Sequence, residues 1–128
     1  MAACGWLACR ESAEAMPDKA QLRGQAIQFL VGLDVGSTTV KAVVMDGSGV
    51  RILWRDYRRH DTRQAGMLSE FLLRMESEIG IAPGNCRVFI TGSGGHPLAE
   101  SIGARFVQEV NAVALAVEKL HPEAQSVI

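Results

Sequence analysis

VGLDVGSTTVKAVVMDGSGV, residues 31–50, sets two apolar runs on either side of a Gly-Ser-Thr-Thr turn, with Asp34 before the turn and Lys41 after it. A hairpin needs only a couple of residues that tolerate unusual backbone angles, and Gly36 with one polar neighbour would serve. The surplus of hydroxyls points to chemistry. At the end of a central strand the backbone N–H groups and hydroxyls of Ser37, Thr38 and Thr39 suit phosphate oxygens. Gly36 lacks the side chain that would block a close approach, and Lys41 adds positive charge. Strand alternation places Asp34 on the face opposite Val35. A carboxylate beside polyphosphate is repelled unless Mg2+ lies between them or the carboxylate orients an attacking water.

On these residues alone two accounts stand. In one, Asp34 and the turn form a phosphate cradle; in the other, Asp34 caps a turn and the hydroxyls only satisfy a hairpin. Two familiar designs are excluded. The pattern G-x-x-x-x-G-K-[ST] is absent, and Gly32-x-x-x-Gly36 leads into a strand, whereas a dinucleotide fingerprint leads into a helix.

Outward from this stretch, FLVGLDVG from Phe29 reads as a strand buried on both faces, because it is mostly apolar, too short for a helix and closed by glycine. TVKAVVMD (39–46) is a second strand, and DGSG (46–49) turns tightly into a third, VRILWRDY. Asp61 is the expected N-cap of an amphipathic helix, since Met67, Leu68, Phe71, Leu72, Met75 and Ile79 recur at helical spacing until Gly80 and Pro83. RVFIT (87–91) is a fourth strand ending in TGSGG, followed by a short helix in HPLAESIG and a short fifth strand in ARFVQE. VNAVALAVEKL (110–120) is apolar nearly all round and predicts a buried helix ended by His121 and Pro122. The order β-β-β-α-β-α-β-α predicts an α/β fold with a mixed sheet flanked by helices.

The chain has 128 residues, 48% of them apolar and 21% charged, with a net charge of -1. This suits one globular domain and supplies no electrostatic case for nucleic acid or an anionic membrane. The basic run Arg51, Arg55, Arg58, Arg59 and Arg63 reads as a solvated face. No apolar stretch approaches the ~20 residues of a bilayer-spanning helix, and a cytoplasmic protein is expected. Three cysteines cannot pair evenly, and the C-x4-C spacing of Cys4 and Cys9 is not that of a zinc site. Cys86 is expected in the core. His60, His96 and His121 read as turn or surface residues. Residues 1–26 show no sustained period and are expected to be an extension, disordered or partly helical. Residues 27–128 form the expected domain, cut in the middle of a larger one because the strand opening at SVI stops at Ile128.

GLDVGSTTVKAVVMD closely resembles the first phosphate motif of the acetate kinase, sugar kinase and actin superfamily. FITGSGGHPLAESIGARFVQEVNAVALAVEKLHPEAQSVI resembles the ATPase domain of the acyl-CoA dehydratase activases. The resemblance covers Phe29 to Ile128. It implies a ribonuclease H-like sheet forming the first half of an actin-like ATPase domain. It further implies ATP with Mg2+ in a cleft between two such subdomains, and a homodimer holding one [4Fe-4S] cluster. Such a dimer passes a low-potential electron to a 2-hydroxyacyl-CoA dehydratase or aryl-CoA reductase component.

Carried onto this chain, the resemblance puts Asp34 near Mg2+ and water, and Gly36, Ser37, Thr38, Thr39 and Lys41 along the phosphates. Thr91, Gly92, Ser93, Gly94 and Gly95 shape the neighbouring loop, and Glu109 is a further site candidate. TGSGG stands where many small activases carry Thr-Gly-Tyr-Gly-Arg, so the chain is more similar to the activase-like domains of very large fusion proteins. Cluster cysteines and the second phosphate motif have no counterpart here, so the chain by itself is expected to be inactive. A sugar or metabolite kinase and a catalytically silent scaffold are the alternative readings.

Overall fold

The computed structural model describes residues 26–127. The expected extension, with Cys4 and Cys9, lies outside the described residues except for Ala26. Strands β1 (Phe29–Val35), β2 (Thr39–Asp46) and β3 (Ile52–Arg59) run as an antiparallel meander. Helix α1 (Gln64–Ile79) carries the chain across to β4 (Cys86–Thr91), which pairs parallel to β1. Helix α2 (Gly95–Ala99) and one 3-10 turn lead to β5 (Arg105–Phe106), parallel to β4, and α3 (Glu109–Leu120) follows. The five-stranded order is β3-β2-β1-β4-β5, with β1 at the centre. This is the mixed α/β sheet expected from the element order.

Register explains the core. Val31, Leu33 and Val35 pair with Val44, Ala42 and Val40 on β2, while Val31 and Leu33 pair with Val88 and Ile90 on β4. Paired residues share a face, so one apolar face builds up across three strands. Against it α1 lays Leu68, Phe71, Leu72 and Met75, each at most 2% exposed. Burial of such a side chain contributes about 1.5–3 kcal/mol. Trp54 on β3 closes the layer, edge-on to Phe71 with ring centroids 5.8 Å apart. Its indole N–H donates to Glu78 Oε2 at 2.6 Å, and Arg74 stands 5.1 Å over its ring. Arg74 in turn pairs with Asp56, and Arg58 pairs with Asp56 and Glu70. Helix α1 ends where expected: Gly80 takes φ 72° and donates its N–H to Glu76 O.

Four expectations change. The first strand is fully buried on one face only; its other face carries Leu30, Gly32 and Asp34, which are half-buried. Asp61 does not cap α1. It and Thr62 take φ of 46° and 66°, a left-handed turn that Asp tolerates better than most residues, and the helix starts beyond them. Helix α3 contains no buried residue, and Val110 and Leu115 are 78% and 64% exposed. Between part of it and the sheet lies a cavity of about 440 Å3, lined by Val43, Phe89, Ala112 and Leu115 among others. His60 is 3% exposed, a buried residue and not a surface one. The other basic residues of its neighbourhood, Arg51, Arg55, Arg58, Arg59 and Arg63, are exposed as expected.

Candidate functional site

The second face of the sheet carries the polar row. Asp34 pairs in register with Lys41 on β2 and with Thr91 on β4, so three strands place Thr91, Asp34 and Lys41 side by side. Lys41 Nζ donates to Asp34 Oδ2 at 2.8 Å, and that bond, with the carboxylate's charge, raises the ammonium above its ordinary pKa. Glu109, the first residue of α3, adds a smaller contribution in the same direction, which puts it at this end of the sheet. The Thr91 hydroxyl is buried and has no hydrogen-bond partner among the described residues. All three residues border the cavity under α3, whose lining is almost wholly apolar.

Beyond Asp34 the chain makes the turn between β1 and β2. Gly36 donates its N–H to Thr39 O at 2.9 Å, and Ser37 and Thr38 are exposed. The Gly36 carbonyl oxygen accepts from His60 Nε2 at 3.2 Å and from Gln64 Nε2 at 3.1 Å. His60 also donates its backbone N–H to Thr38 O at 3.1 Å. The turn is thus open outward and braced from behind.

The Gly-rich loop after β4 lies against this turn. Gly94 donates its N–H to Val35 O at 2.9 Å, and Gly95 closes the loop on Gly92 O at 3.0 Å. Gly92 takes φ 91°, and a Cβ there would lie 2.7 Å from Asp34 Oδ1 and closer still to Val35 O. A Cβ on Gly94 would lie 2.7 Å from Gln64 Nε2. Both glycines are therefore needed by the chain's own atoms. Gly36 is different, since a Cβ there meets nothing nearer than Thr39 O at 3.5 Å. Its missing side chain leaves room on the outer side.

The structure brings together Asp34, Gly36, Ser37, Thr38, Thr39, Lys41 and the loop Thr91, Gly92, Ser93, Gly94 and Gly95 at one end of the sheet. His60 and Gln64 complete the assembly. Neither carries a recognisable signature: RRHDTRQ reads as a charged stretch, and His60 directly precedes a left-handed turn at Asp61 and Thr62.

No protein-family model matches the sequence, and no curated protein matches it. Among solved structures the chain is similar to the activator of 2-hydroxyisocaproyl-CoA dehydratase from Clostridium difficile, which was solved with bound ADPNP. The TM-score is 0.57 and the identity 25%, over 75% of this chain and 35% of that one. It is also similar to component A of (R)-2-hydroxyglutaryl-CoA dehydratase from Acidaminococcus fermentans, with a TM-score of 0.63 and 22% identity over 75% of this chain and 36% of that one. The chain has the fold of the dehydratase activators. It spans about a third of the length of either activator. The fold comparison agrees with the resemblance read from the sequence. Among the described residues no helix is long and apolar enough to cross a membrane.

Proposed function

We propose that this chain supplies one wall of an ATP site in an activator ATPase that drives low-potential electron transfer to a CoA-ester dehydratase or reductase. The observation that carries the reading is the meeting of two loops at one sheet end, the Gly36–Thr39 turn and the Gly92–Gly95 loop, with Asp34, Lys41 and Thr91 between them. The activator structure with bound ADPNP supports a nucleotide as the ligand. Catalysis of phosphoryl transfer is mostly positioning and charge stabilisation, and these groups are the kind it uses.

The residues fit Mg-ATP. The exposed Ser37 and Thr38 offer N–H groups with three hydroxyls beside them, and Lys41 can leave Asp34 for a phosphate oxygen. Asp34, released from Lys41, would be the residue to hold water or a hydrated cation. The unpartnered Thr91 hydroxyl lies beside it and accepts or donates one further hydrogen bond. Mg2+, when bound, would supply charge that offsets the phosphates. Glu109 stands at the edge of this arrangement.

The [4Fe-4S] cluster of the activases has no donor set among the described residues, where no group of three His, Cys, Asp or Glu side chains converges. Cys86 is buried and its thiol is pushed up to about 11 by burial, the opposite of a ligating thiolate. In this reading the cluster, the second cleft wall and any homodimer contact come from the remainder of the ATPase, and the dehydratase or reductase component is a separate partner. One wall of a cleft lacks the enclosed, preorganised surroundings that hydrolysis needs, so the chain alone turns over no ATP. Mg-ATP hydrolysis by the 128-residue chain would contradict this. In the complete ATPase, Asp34→Ala is expected to abolish phosphate release; a phosphorylated small-molecule product would identify a kinase instead, and absence of any nucleotide binding a scaffold.

A further inference from the structure

Resting on the reading of this site as a phosphate cradle, we infer that His60 and Gln64 are its positioning residues, acting through one atom, the Gly36 carbonyl oxygen. That oxygen has two lone pairs and receives two side-chain donors, at 3.2 Å from His60 and 3.1 Å from Gln64, so its accepting capacity is filled. The peptide joining Gly36 to Ser37 is planar and trans, as no cis bonds occur among the described residues. In such a unit the C=O and the N–H point in opposite directions. Holding the Gly36 oxygen toward His60 and α1 therefore aims the Ser37 N–H away from them, toward the open side of the turn. That is the donor a phosphate oxygen would meet.

His60 is expensive to keep if it only fills space. Its ring is buried, and Nδ1 has no hydrogen-bond partner among the described residues. An unpartnered buried polar atom is destabilising, so an aliphatic residue would serve better as filler. Because a carbonyl only accepts, the bond to Gly36 also requires that Nε2 carry the proton. His60 grips the turn twice, since its backbone N–H holds Thr38 O. Gln64 ties in the second loop: its amide occupies the space a Gly94 side chain would fill, and Gly94 is bonded to Val35 O. The α1 N-terminal residue thus sets the turn and the Gly-rich loop against each other.

The test uses two measurements. In the 128-residue chain, NMR relaxation dispersion should show millisecond exchange appearing at the Ser37 and Thr38 amides in Gln64→Leu and not at strand amides such as Val43. Unchanged Ser37 relaxation in that variant overturns the inference, whether or not any nucleotide is hydrolysed. In the complete ATPase, Gln64→Leu and His60→Leu should each raise the KM for Mg-ATP about tenfold with kcat changed less than about threefold, a misorientation effect of modest size. His60→Gln, which keeps a donor at similar reach, should recover most of the loss. A lowered melting temperature with KM unchanged would mean a purely structural role and would also overturn it. If turnover is insensitive to Asp34→Ala, the reading of the site fails first, and the relaxation result still stands on its own.

Discussion

Gly94 donates its backbone N–H to the carbonyl oxygen of Val35 at 2.9 Å, which fastens the loop after β4 to the end of the central strand β1. The two glycine-bearing segments of the site are therefore one unit, and strain introduced in one should be felt in the other.

Gly92→Ala tests that coupling. The substitution forces an L side chain to φ 91° and drives a Cβ against Val35 O and Asp34 Oδ1. Urea denaturation should show a loss of about 2 kcal/mol or more, in the range of a steric clash combined with backbone strain. Gly36→Ala is the contrasting case: with no contact nearer than 3.5 Å, it should cost less than about 1 kcal/mol. It should nevertheless weaken nucleotide binding, because the methyl group occupies the outer side of the turn.

Asp34 and Lys41 should matter far more to turnover than to folding. Their side chains are 29% and 53% exposed, and an ion pair so open to water is worth less than about 1 kcal/mol. Lys41→Met should therefore leave the melting temperature within a few degrees. In the complete ATPase it should cut turnover by about a hundredfold, the scale for losing one preorganised charge contact. A large drop in stability with normal turnover would reverse the assignment.

Cys86 gives a pH prediction. Burial pushes its thiol from 9.0 to about 11, so the folded chain keeps a proton that the unfolded chain has begun to lose. Between pH 9.0 and about 11 the unfolded state thus binds fewer protons, and stability should fall as pH rises through that window. Iodoacetamide labelling followed by mass spectrometry of the Cys86 peptide should be slow at pH 8 and accelerate sharply in urea. Fast labelling under native conditions would contradict the burial.

The strands and α1 were legible because their patterns are short-range: the valine-rich run of β2, Leu68, Phe71, Leu72 and Met75 at helical spacing, and Gly80 at the stop. The register of Asp34 opposite Val35 followed from alternation alone. What could not be read depended on tertiary placement. Helix α3 has the composition of a core helix, but Val110 and Leu115 are exposed, and a cavity lies between Leu115 and the sheet. His60 lies in a charged stretch and is followed directly by two non-glycine residues at positive φ, which local preference disfavours, so the sequence hides its burial. Gln64 matters through a single contact to a backbone oxygen 28 residues away, and no sequence pattern marks such a bond.

The most direct measurement is an amide NMR titration of the 128-residue chain with Mg-ADPNP at millimolar concentration. The account predicts weak, unsaturated shifts at Ser37, Thr38, Lys41 and Gly92 to Gly95, and none on the far side of α1. Shifts confined to other surfaces, or a turn that stays silent while nucleotide binds elsewhere, would contradict it.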